Sequence, residues 1–216
     1  GVSGDVALKF KRLDVSGNLA TGDGQMVIKL TPQSVEVSDL KAEAVGGTLT
    51  SAFKLDKARD GVSLDARLAL EGADLGRLSA KANGQGSIDV SAKARAQSPA
   101  GLVAVMAGAG TVSVKDAVIP APPPGLASNV AETVIDGSLA NEIDPITAVL
   151  GDVVAKAHNN FGTREIAITI ADGAAKFAPI TFDNPRGDVR VATSVDLMSL
   201  GFTSSWFLSS VIPPLR

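Results

Sequence analysis

The 216-residue chain carries 20 basic and 23 acidic side chains, a net charge of −3, and no cysteine. Its Lys and Arg are scattered singly rather than clustered, which argues against nucleic acid as a partner, and the absence of Cys excludes disulfides and thiolate metal sites. No run of about 18 apolar residues occurs, so no helical membrane span is expected.

Along the chain the first signal is alternation with period two. Val6, Leu8 and Phe10 alternate with Ala7, Lys9 and Lys11, and Met26, Ile28 and Leu30 form a second run. Val62, Leu64, Ala66, Leu68 and Leu70 alternate with Ser63, Asp65, Arg67 and Ala69; Ile88, Val90, Ala92 and Ala94 alternate with Asp89, Ser91 and Lys93. Such runs are antiparallel strands with one apolar and one wet face. Ser16-Gly17-Asn18, Gly22-Asp23-Gly24, Asp60-Gly61 and Asn83-Gly84 punctuate them as turns, Asp60-Gly61 being the strongest hairpin signal. The opening GVSGDVALKF has neither a basic n-region nor an apolar h-region and reads as a strand, with any signal or anchor expected upstream.

The pattern changes at Ser98-Pro99, a cap followed by Pro at a first helical position, with Leu102, Val105 and Met106 at helical spacing. A strand is expected over Thr111–Val114, then a stiff connector from Pro120 to Pro124. Leu126, Val130 and Val134 share one helical face. Ile146, Val149, Leu150, Val153 and Ala157 share another, in a helix starting at Asp144-Pro145 and stopping near Asn159-Asn160. Period two returns with Ile166, Ile168 and Ile170, Asp172-Gly173, Phe177, Ile180 and Phe182, Asn184-Pro185, and Val189, Val191 and Val195. The fold expected is mainly β (α+β): one domain over 1–216, with strands in 1–97, a helical insertion of two to three helices in 98–160, and closing strands in 161–216. The sheet is expected to curve strongly into a groove, with the helices packed across its apolar face.

Two stretches resemble the C-terminal domain of the AsmA family. The first contains Gly46-Gly47-Thr48-Leu49, Leu55-Asp56 and Gly72-Ala73-Asp74-Leu75, followed by a Gly-rich strand and Ser98-Pro99. The second runs from Ile166 through Asp172-Gly173 and Pro185 to Val195-Asp196-Leu197. The ordered series, over about residues 35 to 205, carries the resemblance; the prolines at 122–124 depart from it. The resemblance implies a non-catalytic periplasmic domain of a Gram-negative envelope protein, anchored to the inner membrane through an upstream segment. It implies a part in lipid transport between inner and outer membrane and in outer-membrane biogenesis, with phospholipid or another envelope lipid as partner. The alternative is an interaction scaffold in envelope assembly that binds no lipid.

The physics of such a role is simple. Burying a methylene is worth about 0.8 kcal/mol, so a sixteen-carbon chain loses on the order of ten kcal/mol when exposed to water. A trough of alternating strands supplies the cover, although the same alternation builds any β-sandwich core. The candidate lipid-contact residues are Val62, Leu64, Leu68 and Leu70, Ile88 and Val90, Ile166 and Ile168, and Trp206, although a tail such as that of Trp206 more often packs on the core. No cofactor, metal site or catalytic group is expected. His158, the single histidine, reads as a helix-terminal residue near last-turn carbonyls, and Asp56, Asp60, Asp172 and Asp196 read as turn residues.

Overall fold

Alternation fixes strands, and the turn residues between them fix the order in which they pair. The computed structural model describes residues 3–16, 19–183, 185–209 and 211. The expected turn at Gly17-Asn18 and the Asn184 half of Asn184-Pro185 lie outside the described residues.

The elements in chain order are β1 (Gly4–Phe10), β2 (Leu13–Ser16), β3 (Leu19–Thr21), β4 (Gly24–Leu30), β5 (Ser34–Ala44), β6 (Gly47–Ala58) and β7 (Gly61–Asp74). The short helix α1 (Leu75–Leu78), β8 (Asn83–Ala96), β9 (Ala107–Pro120), α2 (Leu126–Ile135) and α3 (Ile143–Lys156) follow. The chain closes with β10 (His158–Ala171), β11 (Ala174–Phe182), β12 (Val189–Asp196) and β13 (Phe202–Leu208). Eleven strands form one open, curled antiparallel sheet in the order β1-β4-β5-β6-β7-β8-β9-β10-β11-β12-β13, and β2 and β3 pair separately. The fold is mainly β with a helical insertion, as expected from the sequence.

Several hairpins follow turn chemistry closely. Asp172 and Gly173 both have positive φ (52° and 73°) and join Ala171 to its partner Ala174, the two-residue turn whose twist matches its strands. At β6–β7 the loop residues are Arg59 and Asp60, because Ala58 pairs with Gly61; Gly61 takes a φ of 142° there. The expected Asp60-Gly61 turn is thus displaced by one residue. A side chain at 61 would lie 2.1 Å from the Ala96 carbonyl oxygen, so glycine is required at the strand entry.

The helical insertion is narrower than 98–160. Only a 3-10 turn forms at Pro99–Gly101, and residues 107–120 make a fourteen-residue strand in the middle of the sheet. Leu102, Val105 and Met106 mimic helical spacing, yet Gly101 and Gly108 bound a stretch too short to sustain a helix. The helices do not cover the sheet either. In α2, Leu126 and Ser128 are buried, and the Ser128 hydroxyl donates to the Arg186 carbonyl in the β11–β12 connection. Gly125 N–H donates to the Gly187 carbonyl oxygen at 2.9 Å, and Arg186 pairs with Glu132. No residue of α3 is buried, and Ile143 is 83% exposed. His158 opens β10, one residue past the α3 cap, with Nδ1 3.0 Å from the Lys156 carbonyl oxygen.

Two buried clusters lie on the inner face of the sheet. One joins Ala92, Ile168, Ile170 and Ala175, flanked by Ile88, Val90 and Phe177. The other joins Ala117, Ala121, Phe161, Phe182, Val189 and Val191, flanked by Leu75, Val114, Ile180 and Trp206. Irregularities at Gly72, Gly84, Asp116 and Gly162 separate them. A bulge adds one residue and so shifts the inward parity by one. That is why odd-numbered Phe161 and Ala117 face the same way as even-numbered Ile166, Ile168 and Val112.

Candidate apolar groove

Strand register places the candidate residues on one face. Leu70 pairs with Ile88, Ile88 with Val112, and Val112 with Ile166, which makes a transverse apolar row over four strands. The adjacent row runs Leu68, Val90, Gly110, Ile168 and Phe177. Val62 and Leu64 continue the face along β7 opposite Ala96 and Ala94. Trp206 reaches it from the far edge through its pairing with Val191.

Toward β1 the same face continues without a break. Leu64 pairs with Leu55, Leu55 with Val35, and Val35 with Leu30. Phe53, Val37, Ile28 and Val6 form the parallel row.

The curl is built from small inward residues. A Cβ at Gly110 would stand 2.4 Å from the Asp89 carbonyl oxygen and 2.8 Å from Val90 Cβ, and one at Gly108 would stand 2.9 Å from Ala92 Cβ. Cross-strand Cβ atoms in a sheet normally lie about 4.5–5.5 Å apart, so β9 approaches β8 on the inward side more closely than any side chain permits.

Cover is graded along the sheet. On β10 and β12 several inward residues are closed off, with Ile168 at 3% exposure and Val189 fully buried, while Ile166 stays half-buried and Arg164 reaches solvent. Around β1 to β7 the same face is only partly covered: Val37 is buried, but Val6 is 44%, Phe53 39% and Leu68 37% exposed. Of the candidates, Val62, Leu64, Leu70, Ile88, Val90 and Ile166 are half-buried along the groove wall. Ile168 belongs to the core, and Trp206 packs against the second cluster.

The outer face is wet and paired. Arg67 forks onto Asp89 at 3.3 and 2.7 Å, Lys93 meets Asp65 at 2.9 Å, and Arg95 meets Asp60 at 2.6 Å. Hydrogen bonding to Arg67 holds the Asp89 carboxyl below its ordinary range, and hydrogen bonding to Arg95 does the same for Asp60. Exposed pairs of this kind add little stability; they keep the outer surface hydrated. A depression of about 470 Å³ on this side is lined by Gln25, Lys41, Thr50 and Arg67 and is open to solvent.

The residues that carried the family resemblance have structural duties. Asp74 caps α1 by accepting the Gly76 N–H at 2.8 Å, and Gly72, at φ 67°, makes the bulge before it. Asp196 accepts from the backbone N–H of Met198 and Ser199 and from the Ser199 hydroxyl, shaping the β12–β13 turn. Among the described residues no group of three or more His, Asp or Glu is placed to hold a metal, and no helix is long and apolar enough to cross a membrane. No family model matches the chain, and neither a curated protein nor a solved structure is significantly similar to it.

Proposed function

We propose that this chain is a lipid-handling domain of the AsmA-like kind, a non-catalytic periplasmic trough that shields acyl chains between the two membranes of the envelope. One observation carries the reading. Apart from Lys57 at the hairpin end of β6, the inward face of β1 and β4–β7 is apolar with several large side chains left in water, on a chain that keeps its outer face charged and paired. Contiguous exposed apolar surface is unusual on a soluble protein and marks a surface with a partner. An acyl chain laid there regains about 0.8 kcal/mol per methylene covered, without any group having to react.

Site-directed photocrosslinking tests it. A photoreactive residue at Leu68, on the open inner face, should label co-purifying lipid in the cell envelope. The same residue at the neighbouring Ala69, on the outer face, should not. Absence of lipid adducts at Leu68, or equal labelling at the two positions, refutes the groove.

A further inference from the structure

Among the described residues, the inward positions of the eleven strands hold apolar or small polar side chains, with two charged exceptions. Lys57 is one, at the hairpin end of β6 opposite Val62. Arg164 is the other, and it stands mid-sheet: it pairs with Val114, an inward residue packed on the second core cluster, and it precedes inward Ile166 by two.

The guanidinium is held rather than loose. Arg164 Nε donates to the Phe161 carbonyl oxygen at 2.9 Å, at the bulge around Gly162 where the ladder with β9 slips. Its Cζ lies 4.9 Å from the centroid of the Phe182 ring, and that ring meets Phe161 edge to face at 4.5 Å between centroids. The backbone contact occupies one of five N–H donors. The side chain forms no ion pair among the described residues and reaches solvent. A planar fork anchored at one nitrogen and stacked on an aromatic ring is the arrangement that receives phosphate oxygens two at a time.

We propose that Arg164 is the phosphate anchor of the groove, receiving the phosphodiester of a glycerophospholipid whose acyl chains run along the adjoining apolar rows. The assignment rests on the lipid-groove reading above. The position suits it: the row beginning at Ile166 leads through Val112 and Ile88 to Leu70 on the open part of the sheet. A bare cation on this face is costly to desolvate, and a phosphate over it repairs that cost as an unanchored hydrocarbon cannot.

The alternative is that Arg164 only mends the slipped ladder at Phe161. That role needs Nε and the ring contact, and it predicts no headgroup preference. The test compares labelled phosphatidylglycerol, diacylglycerol with the same acyl chains, and palmitate on the purified chain, with thermal melts of every variant. Charge-assisted hydrogen bonds are worth about 1.5–3 kcal/mol, so the wild type should prefer phosphatidylglycerol over diacylglycerol by about tenfold or more. Arg164→Gln should abolish that preference while leaving diacylglycerol binding unchanged. Arg164→Lys, which keeps charge and is the safer variant for folding, should retain part of it.

A preference unaltered in both variants overturns the anchor and leaves the groove standing. Palmitate binding as tightly as phosphatidylglycerol, with the same dependence on Arg164, overturns the phosphate assignment. Inorganic phosphate displacing the lipid at low concentration marks an anion site independent of acyl chains and overturns it too. Absence of binding by all three lipids refutes the groove itself, and the anchor with it.

Discussion

The backbone N–H of Asp74 donates to the carbonyl oxygen of Val45 at 2.8 Å, tying the end of β7 to the β5–β6 hairpin. Val45 is held there with a φ of 51°, beside Gly46 at 78°. A β-branched residue in the left-handed region is strained. Val45→Asn keeps the carbonyl and tolerates the conformation, so it should raise stability by about 1 kcal/mol, read as a higher midpoint in urea at unchanged slope. An unchanged or lower midpoint would mean that the packing of the partly buried valine outweighs its strain.

Glycines divide into two sets. At Gly151, inside α3, an added Cβ meets nothing within 4 Å. Gly151→Ala should therefore stabilise the protein by about 0.5–1 kcal/mol through helix propensity. Gly110→Ala should destabilise it by about 1–3 kcal/mol, because its Cβ collides with backbone of β8. Paired denaturation curves check both signs, and a neutral Gly110→Ala would show that the curl relaxes easily.

Leu68 and Ile168 share a transverse row but not an environment. Leu68→Asp should leave a cooperative fold, since its carboxylate reaches water. Ile168→Asp should unfold the domain, because an unpaired buried carboxylate costs several kcal/mol. Circular dichroism melts distinguish them. Collapse of both variants would mean that the inner face of β7 is sealed in solution, contrary to the graded cover.

Acid should act through turn carboxylates. Asp196 is lowered from its ordinary range by the Ser199 hydroxyl and then by the Ser199 backbone N–H. With the folded value below the unfolded one, its contribution is present above the ordinary carboxylate range and is lost as pH falls through the depressed value. Asp196→Asn should therefore lower the Tm at neutral pH, and the gap from wild type should close as pH falls below the carboxylate range. A gap that stays constant would show that hydrogen-bond geometry, not charge, is what Asn fails to reproduce.

The strands and the Asp172-Gly173 turn were legible because both depend on local chemistry: a two-residue repeat and tolerance of positive φ. The start of β9 was not. Ala107-Gly108-Ala109-Gly110 has little β-propensity and forms a strand because only such residues fit against β8. The second core cluster was hidden by bulges, since Phe161 and Ala117 sit on the wrong parity for their neighbours until Gly162 and Asp116 shift it. Arg164 carries no signal in the sequence, because its meaning needs Val114 and Phe182 beside it, and those come from the register and the fold.

The strand order has a kinetic consequence. Apart from β1 reaching β4 past a small hairpin, and β9 reaching β10 past α2 and α3, each strand of the sheet pairs with its neighbour in the chain. Closing such short loops costs little entropy, and local pairing speeds folding relative to sandwiches of equal size. The sheet can grow one hairpin at a time, each new strand extending the apolar rows already laid down. Every intermediate ends in an unpaired edge, so the growing front is where this protein is most exposed to wrong partners.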